Sequence, residues 1–444
     1  MACDGAPTGG SRWKEVQTMP GTRRKSIFFG WMIVGALGLT TIVSYGTTSY
    51  AFGVLLAPVA EDQGWSRAAL SGAYALSILV AGVLGIPIGR LVDRFGARLL
   101  MSAGSAIGGI VLVGLSRAHG VEEFDLLWGI GLGVATALTF YPVSFTVVAN
   151  WFKLRRGAAL AWLTTVGGLA SPIFIPMEGW LVASAGWRET LLVLGLTQFA
   201  IALPLHALVV RRHPEDLGLR PDGRVESEDP SKPSPTLETQ PEGVMAGRAL
   251  RDAAFWSLSV AGGLEQLAAM VVFAHQIALM LSRGFDPVFA AGIAGLIGLA
   301  SLPGRFLLNR LSDRYDAQRL LAFVLATLGA GVVVINLANS AAWLYLYVVV
   351  YGMAFGARSP LRASVMAWHY GRRAYGTITA MQGAIMAVPA AFGPLAAGWL
   401  YDRLGSYHLA FWLTAGAFLI ASLLILLTPR PARKVDSGPA MGYS

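Results

Sequence analysis

The chain has 444 residues, of which 55% are apolar and only 13% charged, and its mean hydropathy is +0.58. Soluble domains carry about 25% charged residues, so this composition excludes a soluble enzyme or binding module and indicates a membrane protein. The formal charge of +9 would suit a nucleic-acid binder, but its placement along the chain, described below, argues against one.

Residues 1–27 form a polar, basic tail that holds the only cysteine, Cys3, so no disulfide framework or thiolate metal site can form. The apolar run that follows is too long for a signal-peptide core and reads as a first span. Runs of about 20 apolar residues, enough to cross a hydrocarbon core of ~30 Å, then recur as far as Thr428. Spans 1–6 are expected at 29–58, 67–89, 99–117, 124–150, 157–184 and 188–210, giving a first six-helix bundle over 28–210. Residues 211–251 have almost no apolar run, and their centre, from Val225 to Thr236, is rich in Pro, Ser and charge, as a flexible linker is. Spans 7–12, expected at 252–282, 286–309, 319–339, 342–366, 374–401 and 408–428, give a second bundle over 252–428. Residues 429–444 form a polar tail. Backbone in lipid is satisfied only in helices or closed barrels, and runs this long exclude barrel strands. The expected fold is an all-α integral membrane protein of twelve transmembrane helices.

Charge placement sets the orientation. Of the 34 Lys and Arg, Arg67, Arg117, Arg188, Arg283 and Arg403 fall on one side, and Arg305, Arg358 and Arg362 fall inside spans. The rest lie with the termini and linker, which the positive-inside rule places in the cytoplasm. The basic charge is therefore a topology signal. We expect a multi-pass, monomeric protein of the cell (inner or plasma) membrane, with both termini cytoplasmic, the lipid bilayer as its surroundings and no nucleic-acid partner.

The chain repeats itself. Gly89-Arg90-Leu91-Val92-Asp93-Arg94-Phe95-Gly96-Ala97-Arg98 returns 220 positions later as Asn309-Arg310-Leu311-Ser312-Asp313-Arg314-Tyr315-Asp316-Ala317-Gln318. Gly179-Trp180-Leu181 returns as Gly398-Trp399-Leu400 and Tyr141-Pro142 as Ser359-Pro360, at offsets of 219 and 218. A near-constant offset means two equivalent halves. Six spans per half give both the same orientation, related by an axis along the membrane normal.

These residues resemble a family. Gly89-x-x-x-Asp93-Arg94-x-Gly96-x-Arg98 between spans 2 and 3 is similar to the signature loop of the major facilitator superfamily, and the weaker copy lies between spans 8 and 9. Gly64-Trp65-Ser66-Arg67-Ala68, Asn150-Trp151-Phe152 with Arg155-Arg156-Gly157, Gly186-Trp187-Arg188, Pro214-Glu215-Asp216-Leu217-Gly218 and Ala253-Ala254-Phe255-Trp256 resemble the bacterial branch of monocarboxylate porters and oxalate–formate exchangers. The resemblance implies a major facilitator fold, alternating access and a secondary transporter of a small organic anion. Gly89, Asp93, Arg94, Gly96 and Arg98, with Asp313 and Arg314, would form a cytoplasmic gate. Glycines 89 and 96 are expected to allow a tight turn and close helix contact.

Charges inside spans are costly and functional by default. Arg305 lies eight residues before Asp313, about 12 Å along a helix, where the other half has Gly85. Its guanidinium fork suits a carboxylate; otherwise it would snorkel to the interface or pair with a loop acid. The resemblance makes Arg305 the substrate-carboxylate partner. It also places Gln382 where oxalate exchangers carry a lysine, which points to a monoanion. Arg358 and Arg362, one turn apart on span 10, would attract anions or pair locally. Glu265 in span 7 and His275, ten residues further on, are candidate proton carriers or else hydrogen-bonded structural groups. Glu178, near the outer end of span 5, is expected at the interface. Tyr45 and Tyr141 offer hydroxyls to a cavity, or pack. The six histidines show no metal-ligand spacing, no phosphate-binding loop is present, and no nucleophile–base pair suggests an enzyme. No metal and no cofactor are expected. The proton or a counter-anion would supply the energy, by symport or exchange. Two other readings stand beside this one: a proton-driven exporter of amphipathic drugs or metabolites on the same fold, and a transport-inactive membrane sensor.

Overall fold

The computed structural model describes residues 28–223, 244–311, 315–371 and 374–430. The expected N-terminal tail, the C-terminal tail beyond residue 430, the centre of the linker, Asp313 and Arg314 lie outside the described residues. Among the described residues, twelve helical segments are long and apolar enough to cross a membrane. Spans 1–6 are Phe29–Gln63, Arg67–Phe95, Ala97–Leu115, Val121–Trp151, Arg156–Ala185 and Trp187–Leu208. Spans 7–12 are Ala253–Ser282, Pro287–Leu311, Ala317–Leu337, Ala341–Tyr370, Tyr375–Leu404 and His408–Leu427. Large apolar side chains such as Ile110, Phe323, Leu413 and Leu427 point outward and are more than half exposed, as expected of a surface that lipid rather than water covers.

Local departures from regular helix shape the interior. Span 1 loosens into π-helix over Tyr45–Tyr50, a geometry found mostly at functional sites. Span 4 breaks at Phe140, whose ψ is −179°, because Pro142 has no N–H to donate and its ring opposes the preceding turn. Span 2 runs through the signature loop to Phe95, which corrects the expectation for Gly89. It is helical, and nothing described lies within 4 Å of where its side chain would start. Between Pro87 and Gly96 the one helix-weakening residue is Gly89 itself, and a single glycine inside a helix is tolerated. The turn falls on Gly96 alone, at φ 82°, and a side chain there would also press on the Arg212 stem.

The halves meet along two equivalent seams, span 2 against span 11 and span 5 against span 8. A Cβ at Gly398 would lie 2.6 Å from the Arg67 carbonyl oxygen, and one at Gly179 would collide with Ala291. Gly179 and Gly398 are repeat partners, so the symmetry read from the sequence is present in the packing. Both seams are tight on the side away from the termini, here called the far side. Toward the linker side the span 2–span 11 seam parts, whereas the span 5–span 8 seam stays in contact down to Arg305. Gly72 faces Leu395 and Gly82 faces Ala387, but nothing described lies within 4 Å of the Cβ positions of Gly85, Gly89, Gly376 or Gly383. Within the second half, spans 8 and 10 approach backbone to backbone: a Cβ on Gly304 would strike the Met353 carbonyl, and one on Gly356 the Ser301 carbonyl. On the linker side, the Asp222 carboxylate accepts the N–H groups of Lys153, Leu154 and Arg155 at 2.9–3.2 Å, tying the chain that leaves span 6 to the start of span 5.

Candidate functional site

A cavity of about 310 Å³ lies between the halves. Span 1 contributes Tyr45 and Tyr50, span 4 Tyr141, span 5 Ser171 and span 7 Phe273 and Gln276. Span 8 adds Gly298, Ser301 and Arg305, and span 10 Tyr351, Phe355 and Arg358. Among the described residues, the only charged ones on this wall are Arg305 and Arg358, and no acid lines it. Arg305 closes the linker-side end of the span 5–span 8 seam. Its Nη1 donates to the Thr164 carbonyl at 3.3 Å, while its buried Nε has no hydrogen-bond partner among the described residues. A buried guanidinium nitrogen left unpaired is costly, and the Nε edge is one a carboxylate can take side-on. Tyr45 stacks on Phe140 at 3.8 Å and stands 5.2 Å from Tyr141. The break at Phe140 thus brings both expected tyrosines to the cavity.

Arg358 reaches the wall with its charge already engaged. Its Nη1 donates to Glu265 Oε1 and to Gln266 Oε1, and its guanidinium lies 4.4 Å above the Phe355 ring. Arg362 Nη1 donates to the other Glu265 oxygen at 3.0 Å. Glu265 is 2% exposed and holds both arginines at once. Two cations on one carboxylate leave the cluster with a net positive charge beside the cavity. Gln382 lies apart from Arg305, in a separate cleft with Arg362 and Tyr375.

His275 is also away from this cavity. It is buried in the far-side seam, where Nε2–H donates to the Pro394 carbonyl at 2.9 Å and Nδ1 meets the Tyr407 hydroxyl at 3.3 Å. Tyr407 receives Arg67 Nη1 at 2.9 Å, and Arg67 lies 4.3 Å over the Tyr401 ring. Asp402 accepts the N–H groups of Arg67 and Ala68 at 3.0 and 2.8 Å. On the linker side Arg94 and Arg98 are exposed and Arg94 rests on the Phe95 ring; the Asp93 side chain is outside the description. Glu178 is a correction. It is fully buried rather than interfacial, because the face of span 5 that carries it turns toward the interior with Phe174 and Ile175. Tyr50, Ser171, Gln276, Ser301 and Tyr351 were not singled out from sequence. Gly298, Ser301 and Arg305 are spaced by three and four, as are Tyr351, Phe355 and Arg358 in the reverse order, so a helical stripe drawn through each arginine finds Ser301 and Tyr351; Tyr50, Ser171 and Gln276 lie on other spans and carry no such signal.

Twelve membrane-crossing helices in two equivalent halves, with a cavity at their junction, define a multi-pass transporter fold. A model of the Major Facilitator Superfamily matches residues 37–388 and 320–442, and the chain belongs to that family. Its members are transporters and not enzymes. Monocarboxylate transporter 13 of Bos taurus is 27% identical over 406 residues, covering 90% of this chain and 89% of that protein. Monocarboxylate transporter 11 of Homo sapiens is 26% identical over 414 residues, covering 90% and 83%. Among solved structures, a bacterial homolog of the human lysosomal transporter Spinster, in an inward-facing and occupied conformation, matches with a TM-score of 0.70 at 16% identity. That match covers 91% of this chain and 97% of the other.

Proposed function

We propose that the protein moves a small organic anion, a monocarboxylate, across the membrane by alternating access, with a proton or in exchange for a second anion. The observation that carries this reading is the Arg305 Nε, buried and unpartnered among the described residues on a cavity wall that bears no acid. One available guanidinium matches one carboxylate, and the spare positive charge of the Arg358–Glu265–Arg362 cluster adds attraction without a second open fork. The names of the relatives, monocarboxylate transporters, point the same way. Taking the linker side as cytoplasmic, from its excess of Lys and Arg, the cavity opens inward and the far-side seam is the closed outer gate. Arg94, Gly96 and Arg98, with Asp93, Asp313 and Arg314, would then close the inner side when the outer side opens. Glu265 and His275 each hold at least two partners here, so a proton-carrying role for either requires those bonds to break during the cycle.

The cavity's six aromatic side chains, Tyr45, Tyr50, Tyr141, Phe273, Tyr351 and Phe355, favour a second reading, export of an amphipathic compound on the same fold. Thermal stability of the purified protein separates the two. Acetate, pyruvate and lactate should stabilise it, by about 2.7 kcal/mol at a hundredfold excess over Kd, and their neutral amides should not. Stabilisation by the carboxylates that survives in Arg305→Ala would refute the anion site.

A further inference from the structure

The geometry points to Glu178 as a proton-binding site that controls closure of the far side: it must take up a proton before that side can seal. The inference rests on the alternating-access reading above and names the group through which pH acts on it. Glu178 is 0% exposed, and neither carboxyl oxygen has a hydrogen-bond partner among the described residues. It lies seven residues before Ala185, about 10 Å inside the end of span 5. An ionised carboxyl that is buried and unpaired costs several kcal/mol, whereas its neutral acid is far cheaper to bury.

The position of Glu178 ties this cost to conformation. Ile175 and Ser171, three and seven residues earlier on the same helical face, line the cavity. Glu178 is therefore the next member of the cavity stripe, placed where the halves are shut. Gly179 beside it is jammed against Ala291, and Gly295 against Pro176. When the far side opens, this stripe faces water and the carboxyl can ionise; when it closes, a proton from the far-side water must join the carboxylate. The repeat partner of Glu178 is Ala397, so symmetry requires no acid here.

The charged and titratable groups on the elements packed against span 5 are engaged elsewhere. On span 1, Asp62 accepts the Trp187 indole N–H, Glu61 pairs with Arg67, and Tyr45 and Tyr50 face the cavity. On span 6, Arg188 donates to the Ser116 and Ala118 carbonyls, His206 bonds Ser105, and Glu189 lies beside Gly186. At span 8, Asp286 caps the helix start and Arg305 bonds Thr164. None of them forms a hydrogen bond to Glu178 among the described residues.

The test uses the full chain in proteoliposomes, with Cys3→Ser removing the sole cysteine and Gly72→Cys reporting on the far-side seam. Labelling of residue 72 by a membrane-impermeant maleimide, corrected for the thiol's own pH dependence with an exposed reference cysteine, should rise with far-side pH. The limit for one linked proton is about tenfold per pH unit. Glu178→Gln, a neutral isostere, should keep labelling low at every pH, and His275→Gln should retain the pH response. A pH response that persists in Glu178→Gln, or none in the parent, overturns the proposal. Should Glu178→Gln fail to fold, Glu178→Leu, which buries without a charge, takes its place. Counterflow of pyruvate tests the transport reading separately. A response lost in Glu178→Gln without pyruvate flux keeps the proton site and removes the cargo, and flux with an unchanged response does the reverse.

Discussion

The Asp402 carboxylate, on span 11, caps the first turn of span 2 in the opposite half by accepting the N–H groups of Arg67 and Ala68. Ser66 accepts the third N–H, from Ala69, so the helix end is completed by both halves together. A capping carboxylate gains from the N-terminal dipole as well as from the bonds, and here that gain exists only while the far side is closed. Losing it costs about 1–2 kcal/mol, a factor of roughly 5–30 in an equilibrium. Asp402→Ala should therefore raise far-side accessibility by about that factor, measured as maleimide labelling at position 72 when Gly72→Cys is carried in the Cys3→Ser background. Unchanged labelling would mean that the cap does not hold the gate.

The Glu265 cluster predicts an order of stabilities. Both oxygens of a nearly dry carboxylate are taken, one by Arg358, itself 9% exposed, and one by the more exposed Arg362. Removing one member of a buried pair strands the other, at about 3–5 kcal/mol. Glu265→Ala strands two arginines and should lower the melting temperature most. Arg358→Ala should come next and Arg362→Ala last, since water reaches Arg362. A double-mutant cycle on Glu265 and Arg358 should show strong coupling. Near-additive losses would argue against a shared cluster.

The fold was legible because its signals are long and repeated: twenty-residue apolar runs, a charge bias between loops, and landmarks recurring at nearly constant offset. The site was legible in part. Arg305, Tyr45 and Tyr141 stand on one cavity because each breaks a local rule, as a charge inside a span or a tyrosine beside a helix irregularity. What the sequence hid was rotation about the helix axis. Glu178 and His275 lie on apolar stretches whose neighbours give no clear amphipathic face, so nothing showed that one would be sealed without a hydrogen-bond partner among the described residues and the other locked into the far-side seam. Pairing between distant segments was equally hidden. Glu265 and Arg358 are 93 positions apart, and no local pattern announces that they meet.

Spans 8 and 10 carry Arg305 and Arg358 to a common cavity only because glycine allows their backbones to touch. A Cβ at Gly304 would meet the Met353 carbonyl, and one at Gly356 the Ser301 carbonyl, atoms that cannot swing aside as a side-chain tip does. Gly304→Ala and Gly356→Ala should push the spans apart and lower both the yield of folded protein and any carboxylate-dependent stabilisation. Gly85→Ala is the control. It occupies the repeat position of Arg305 but meets nothing within 4 Å among the described residues, so its melting temperature should match the parent. Loss of stability at Gly85 comparable to that at Gly304 would show that the contacts between spans 8 and 10 are not what limits packing.

The last prediction concerns why an arginine, rather than any cation, stands at 305. Its guanidinium divides its work between the Thr164 carbonyl of the other half and the open Nε edge. Lysine keeps the charge but offers a single ammonium, which cannot hold a seam carbonyl and a carboxylate side-on in one plane. Arg305→Lys should therefore retain charge attraction and lose the fork. Truncating a desolvated, hydrogen-bonded charge costs about 2–5 kcal/mol, and 2 kcal/mol is roughly 30-fold in Kd. Arg305→Ala should weaken pyruvate binding by at least that factor, and Arg305→Lys should fall between it and the parent. Titration of the purified variants by isothermal calorimetry measures the order directly. A lysine variant that binds as tightly as the parent would show that position 305 supplies charge alone.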